Sequence, residues 1–247
     1  MSKTRRLLLA VCLAAVLGLS ASEARAGNVT LTLTWAGGTT GPIDFTSPFA
    51  QLGSTADLLT IDTSVLNAFI VGNGSDFMFS ELGASSNNPG DPTGSVLRET
   101  GTGVLSGTGG DQNISIVASQ DGFMQPSGAG TLTSQSTANF SGTEVGSQMS
   151  NGSLDSKSTA FAMYGPPGGF GVESTGAVGN AAGYTLIAST AMDLTGSAIG
   201  ASDQMSNRVM FVNSVSAPEP TSLVMLAVGM PLSLVVLRRV RRRRAAG

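Results

Sequence analysis

From Asn28 to Trp35 the chain alternates strictly. Val29, Leu31, Leu33 and Trp35 fall on one face, and Thr30, Thr32 and Thr34 on the other. Period two with β-branched residues predicts a half-buried strand with Trp35 in the core. Gly37-Gly38 ends it. Shorter versions of the signal predict strands at Leu58 to Asp62, Phe77 to Ser80, Ser95 to Glu99, Asn113 to Ala118, Thr131 to Ser134, Thr137 to Phe140, Ser158 to Met163, Tyr184 to Ser189 and Arg208 to Asn213. Turn chemistry separates them at Asn73-Gly74, Pro89-Gly90-Asp91-Pro92, Gly109-Gly110-Asp111, Asp121-Gly122 and Pro166-Pro167-Gly168-Gly169. No apolar stretch of the body keeps a helical period, and Thr63 to Val71 is the place for a short helix or a strand. Asn151 to Lys157 and the Pro-Gly stretch after Tyr164 read as exposed loops. Many short strands with regular turns predict an all-β body, a β-sandwich of the jelly-roll or immunoglobulin-like kind. The absence of a fixed-period repeat counts against a β-solenoid.

The two ends follow a different pattern. Lys3, Arg5 and Arg6 precede an apolar run from Leu7 to Leu19, and Ala24-Arg25-Ala26 follows. That is a signal peptide over residues 1–26, with Ala24 and Ala26 as the small residues a signal peptidase reads and cleavage before Gly27. The run is short for a membrane span, and Ser20, Ser22 and Glu23 close it.

Residues 217–247 form the other end, leaving 27–216 as the extracellular body. Pro218-Glu219-Pro220 precedes an apolar segment from Leu223 to Leu237 that contains Pro231. The cluster Arg238, Arg239, Arg241, Arg242, Arg243 and Arg244 follows. Two prolines favour an extended backbone open to a protease. A helix from Thr221 to Leu237 would rise about 25 Å at ~1.5 Å per residue. That is slightly short of a hydrocarbon core of about 30 Å, a gap that snorkelling arginines cover. The positive-inside rule holds those arginines in the cytoplasm and the body outside. The tail resembles the PEP-CTERM sorting signal of Gram-negative and related bacteria, in which a Pro-Glu-Pro motif, a membrane helix and a basic cluster follow in this order. The resemblance covers about an eighth of the chain. It implies transient recognition by an exosortase, cutting at or near Pro218-Glu219-Pro220 and release to the cell surface or matrix. It also implies an association with exopolysaccharide and biofilm. A plain membrane anchor is the alternative for the same residues.

Charge changes the picture of the body. Of the 16 acids only Glu23 and Glu219 lie in the ends, whereas the body keeps only Arg98, Lys157 and Arg208 as bases, so its net charge is −11. Such a body repels nucleic acid and anionic lipid. The chain has no histidine, and its one cysteine, Cys12, sits in the N-terminal apolar run. The body therefore has no disulfide, no Cys/His zinc site and no histidine-based triad or dyad.

Candidate chemistry is sparse. Gly72-Asn73-Gly74-Ser75-Asp76-Phe77-Met78 fits one unit of a glycine-aspartate calcium turn, which makes Asp76 the candidate calcium ligand, and Gly107 to Ile114 echoes it loosely. A solvated turn aspartate is the plainer reading. Gly165 to Gly171 lacks the lysine and amide donors of a phosphate loop. Paired carboxylates suffice for glycoside hydrolysis, but the acids are isolated and stacking aromatics are few. The expectation is a non-enzymatic surface or matrix protein, structural or adhesive among exopolysaccharide, with no cofactor. Two alternatives stand beside it. One is a carbohydrate- or calcium-binding module using surface carboxylates or an aromatic such as Tyr164, Phe170 or Tyr184. The other is a secreted glycoside hydrolase.

Overall fold

The alternation at the start of the body is built as read. In the computed structural model, which describes residues 27–213, β1 (Thr30–Trp35) buries Leu31, Leu33 and Trp35 and turns its threonines outward. Ala24, Ala26, the Pro218-Glu219-Pro220 motif, the segment Leu223 to Leu237 and the arginine cluster all lie outside the described residues. Within them, no helix is long and apolar enough to cross a membrane.

After β2 (Gly38–Thr39) and β3 (Leu58–Thr60), the ambiguous stretch proves helical as α1 (Thr63–Gly72). Asp62 caps it, its carboxylate accepting the Ser64 and Val65 amides at 3.1 and 3.4 Å, and Leu66 and Ile70, four apart, enter the core. The remaining strands are β4 (Phe77–Ser86), β5 (Gly94–Leu105), β6 (Asn113–Phe123), β7 (Gly128–Ser141), β8 (Ser147–Leu154), β9 (Lys157–Ser158), β10 (Ala162–Tyr164), β11 (Gly168–Asn180), β12 (Tyr184–Asp193) and β13 (Ser202–Asn213).

Two antiparallel sheets face each other across one hydrophobic core. The seven-stranded sheet runs β10-β8-β12-β6-β1-β2, with β9 on β8, and the six-stranded sheet runs β11-β7-β13-β5-β4-β3. Phe77, Phe79, Phe123 and Phe211 are among the largest fully buried side chains. Tyr184 stacks on Phe123 at 5.6 Å and meets Phe211 edge-on at 5.7 Å. Close approach of the sheets explains Gly152: a Cβ there would stand 2.6 Å from a Val209 methyl of the facing sheet.

Several expectations are corrected. The two strands expected at Thr131 to Ser134 and Thr137 to Phe140 are one strand, β7. The loop expected at Asn151 to Lys157 is largely the end of β8, and the Pro-Gly loop gives way to β11 from Gly168 onward. Asp121-Gly122 lies inside β6, where Gly122 adopts φ 80 beside an irregularity in the β12 pairing. The strand expected over Ser158 to Met163 breaks into β9 and β10. For β7 and β8 the cause is the inner surface. Ser134, Ser136, Gln148, Ser150, Glu99, Asp203 and Asn207 are all buried there. Asn207 accepts the Ser134 hydroxyl at 2.9 Å and donates to the Asn151 and Ser189 carbonyls of the opposite sheet at 2.9 and 3.1 Å. A strand whose inward positions are polar does not announce itself by hydrophobic period.

Candidate functional site

Antiparallel pairing puts directly opposed residues on the same face, so the register defines the outer surface of the six-stranded sheet row by row. The middle row is Thr60, Gly83, Thr100, Ser206, Thr137 and Phe170. Apart from Phe170 at its end, every side chain in it is short or missing. One flanking row reads Leu58, Ser85, Arg98, Arg208, Gln135 and Val172. The other reads Glu81, Thr102, Gln204 and Asn139. A low row between two taller ones makes a trough across the strands. The open volume there is about 610 Å³, lined by Thr60, Thr100, Thr137 and Ser206 along the floor, with Arg98 on one wall and Gln204 on the other. Six strands at about 4.8 Å spacing give it a length of roughly 24 Å.

Local structure fixes both ends. In β4 a bulge between Phe79 and Glu81 leaves Ser80 and Glu81 both exposed. Asn67 of α1 pins that bulge, donating to the Phe79 carbonyl at 2.9 Å and accepting its amide at 2.8 Å. Glu81, so aimed, accepts the Thr102 hydroxyl at 3.0 Å. At the far end Phe170 on the edge strand β11 is 66% exposed. The inner side of that strand is backed by Tyr164, whose hydroxyl lies 2.7 Å from the Ser136 hydroxyl.

Half of the body's carboxylates accept backbone amides. Asp44, Asp62 and Asp91 each accept the amide and hydroxyl of the Ser or Thr two residues on. The hydroxyl bonds first, with the amides, hold all three below the usual carboxylate range. Glu99 and Asp203 stand apart. Both are buried on the inner face of the six-stranded sheet and none of their carboxylate oxygens has a hydrogen-bond partner. Burial drives Glu99 well above the usual range and raises Asp203 to about 7; the Thr190 hydroxyl and Ala118 backbone near Glu99, and the Asn139 backbone near Asp203, oppose this only weakly, since none of them completes a hydrogen bond to the carboxylate.

Asp76 serves as a fastener. Its carboxylate accepts the Gly110 amide at 2.5 Å, and its own amide donates to the Asp111 carbonyl at 2.8 Å. The Gly72 to Met78 turn and its loose echo at Gly107 to Ile114 therefore lie side by side, joined by a bridge between Ser75 and Asp111. Asp111 in turn accepts the amides of Ala36 and Asn113. Among the described residues no three Asp, Glu, His or Cys side chains converge as a metal cluster.

Of the three aromatics read as ligand candidates, only Phe170 is in the open. Tyr184 is 2% exposed, its hydroxyl bonded to Ser95 and to the Gln125 carbonyl, each at 2.7 Å, and burial raises it to about 12. Tyr164 is half-buried behind β11. The trough floor was missed in the sequence, because Thr100, Thr137 and Ser206 look like ordinary solvated strand positions until the register aligns them.

No family model matches the chain, and comparison with curated proteins finds no match. Among solved structures it is similar to TmCBM61 in complex with β-1,4-galactotriose, at 10% identity and TM-score 0.32, covering 59% of this chain and 94% of that one. The PA14 sugar-binding domain from an RTX adhesin gives 12% identity and TM-score 0.32 over 74% and 91% of the two chains. The Clostridium thermocellum xylanase 10B CBM22-1–GH10 modules complexed with xylohexaose give 11% identity and TM-score 0.27, over 49% of this chain and 23% of that one. Scores this low carry no argument about what this chain binds.

Proposed function

We propose that the chain is an exported, non-enzymatic glycan-binding protein, and that the trough on the six-stranded sheet is where it holds its ligand. One observation carries this. The register lines up a floor of hydroxyls, walls of amide and charged side chains, and an exposed Phe170 at one end, on a single rigid face. Sugar hydroxyls need many donors and acceptors at fixed spacing, and a sugar ring needs an apolar face to lie on. A sheet supplies both without ordering cost at the moment of binding.

The order of the strands supports a jelly-roll sandwich as the scaffold. Within the two sheets, β5-β13-β7-β11 faces β6-β12-β8-β10, two interleaved Greek keys. Hydrolysis by paired carboxylates fits the trough poorly, because among the described residues Glu81 is the one acid lining it and such chemistry needs two carboxyls about 5–9.5 Å apart.

The ends complete the proposal. Signal peptidase would release the body at Gly27. The tail would hold it outside the inner membrane until an exosortase acts at Pro218-Glu219-Pro220, delivering it to exopolysaccharide at the cell surface or in the matrix. Replacing those three residues by alanine would leave a full-length, membrane-bound chain where the wild type is shortened. Equal processing of both would remove the sorting step and leave an anchor. For the body, a screen of the full-length chain against immobilised polysaccharides should give saturable binding without sugar release. Release of soluble sugar would overturn the non-enzymatic reading.

A further inference from the structure

The body holds two arginines, and the fold places them directly beside each other. Arg98 of β5 and Arg208 of β13 are register partners on the outer face, both exposed, in the row that flanks the trough; Arg98 lines it and Arg208 stands beside Arg98. Opposed like charges on neighbouring strands repel. Among the described residues neither guanidinium has a hydrogen bond or an ion pair, although the body carries 14 acids. The flanking positions in the row are Ser85 and Gln135, both neutral. Glu81 belongs to the opposite wall, where it bonds Thr102. An arginine pair set side by side and left without a counter-ion is a half-site for an anion.

We infer that Arg98 and Arg208 together receive a carboxylate carried by the glycan in the trough, so that the ligand is a uronate-bearing polysaccharide. This rests on the trough being the glycan site. Guanidinium presents a planar fork of donors that matches a carboxylate bidentately. Two forks from adjacent strands can clasp one such group while the ring it hangs from lies over Thr100 and Ser206. The charge of the rest of the body sharpens the ligand. At net −11 it repels a continuous polyanion, but repulsion beyond about 8 Å is screened at physiological salt. An isolated uronate on an otherwise neutral backbone meets the arginines and little else. The favoured class is therefore a polysaccharide with sparse acidic residues rather than an unbroken polyuronate.

The test pairs each polymer with its own neutral form. Full-length protein is offered a panel of polysaccharides with sparse uronates, the same polymers after chemical reduction of the carboxyls, and a continuous polyuronate. Wild type should bind at least one sparse polymer, and carboxyl reduction should weaken that binding by about tenfold or more. R98Q and R208Q should each lose a large part of the preference. The double variant should bind the native polymer no better than wild type binds the reduced one. Its melting temperature should equal or exceed that of wild type, which separates lost recognition from lost folding. Equal binding of native and reduced polymers by wild type, or a preference that survives in the double variant, would overturn the inference and leave the trough as a neutral-glycan site. Failure of wild type to bind any polymer in either form would sink the trough itself, and this assignment with it.

Discussion

On the seven-stranded sheet the outward rows are Thr32, Val117, Ser189 and Asn151, and Thr34, Ser115, Ala191 and Met149. On the six-stranded sheet the corresponding positions carry Arg98, Arg208, Gln135, Gln204, Asn139 and Glu81 around a floor of threonine and serine. The inner faces differ as well. Beneath the first sheet lie Leu31, Leu33, Ile116, Ala118, Leu186 and Ala188 with the neutral Gln120, Gln148, Ser150 and Thr190, whereas the second presents the two acids Glu99 and Asp203, with Asn207, among its apolar residues. Both are twisted antiparallel sheets of similar size. The two outward rows named on the first sheet carry no charged side chain. The second sheet holds the groups that cost stability: two buried acids inside and two opposed cations outside. Those groups lie on the sheet that bears the trough, and under the proposed function that sheet is the one that meets a ligand.

The largest expected effect tests the inner half of that contrast. Asp203 binds its proton more tightly folded than unfolded, since its folded value of about 7 lies above the ordinary value of about 3.9. Its favourable contribution is fully present below the unfolded value and is lost as pH rises through the folded one. Stability should thus fall by roughly 3 kcal/mol between pH 5 and pH 8, with Glu99 acting in the same direction. Urea unfolding of the full chain at a series of pH values should show the decline, and the Asp203→Asn variant should flatten it. A wild-type profile that is level from pH 5 to 8 would mean that Asp203 is not held protonated. Below about pH 4 the lowered Asp44, Asp62 and Asp91 act the other way, because their contribution disappears as they protonate.

Next in size is a pair of bulky substitutions. Ser206→Trp fills the trough floor and should weaken glycan binding by about a hundredfold, near 2.7 kcal/mol. Ser189→Trp at an outward position of the other sheet should leave affinity within about twofold. Phe170→Ala removes the exposed ring and should cost between about twofold and tenfold, as a lost aromatic contact of roughly 0.5–1.5 kcal/mol does. The smallest effect is on stability. Arg98→Gln should stabilise the fold by about 0.2–1 kcal/mol by ending the cross-strand repulsion. A destabilised Arg98→Gln would show that the guanidinium has a supporting role in the sheet.

The sequence made the apolar strands legible and hid the polar ones. β1 was readable residue by residue, because Val29, Leu31, Leu33 and Trp35 alternate with threonines. β7 read as two fragments, because its central inward positions are Ser134 and Ser136. β13 showed only its second half, because Asp203 and Asn207 take core positions that hydrophobic pattern assigns to solvent. β11 was hidden by its glycines and by the prolines before it. The site was less legible still. Arg98 and Arg208 were visible as the body's two arginines, but 110 positions apart, and only the pairing of β5 with β13 makes them neighbours. Phe170 stood among three aromatic candidates, and burial of Tyr184 separates them. Rows across a sheet are made of residues remote in sequence, so a trough of small side chains leaves no local signature.

The most direct measurement is an equilibrium binding titration of the full-length chain against a polysaccharide panel, run in parallel for wild type, Ser206→Trp and Ser189→Trp. Saturable binding by wild type and Ser189→Trp, lost in Ser206→Trp while its melting temperature is kept, is the result expected if the six-stranded sheet carries the glycan site. Equal binding by all three proteins, or loss only in Ser189→Trp, would place the ligand elsewhere and contradict the division between the two sheets.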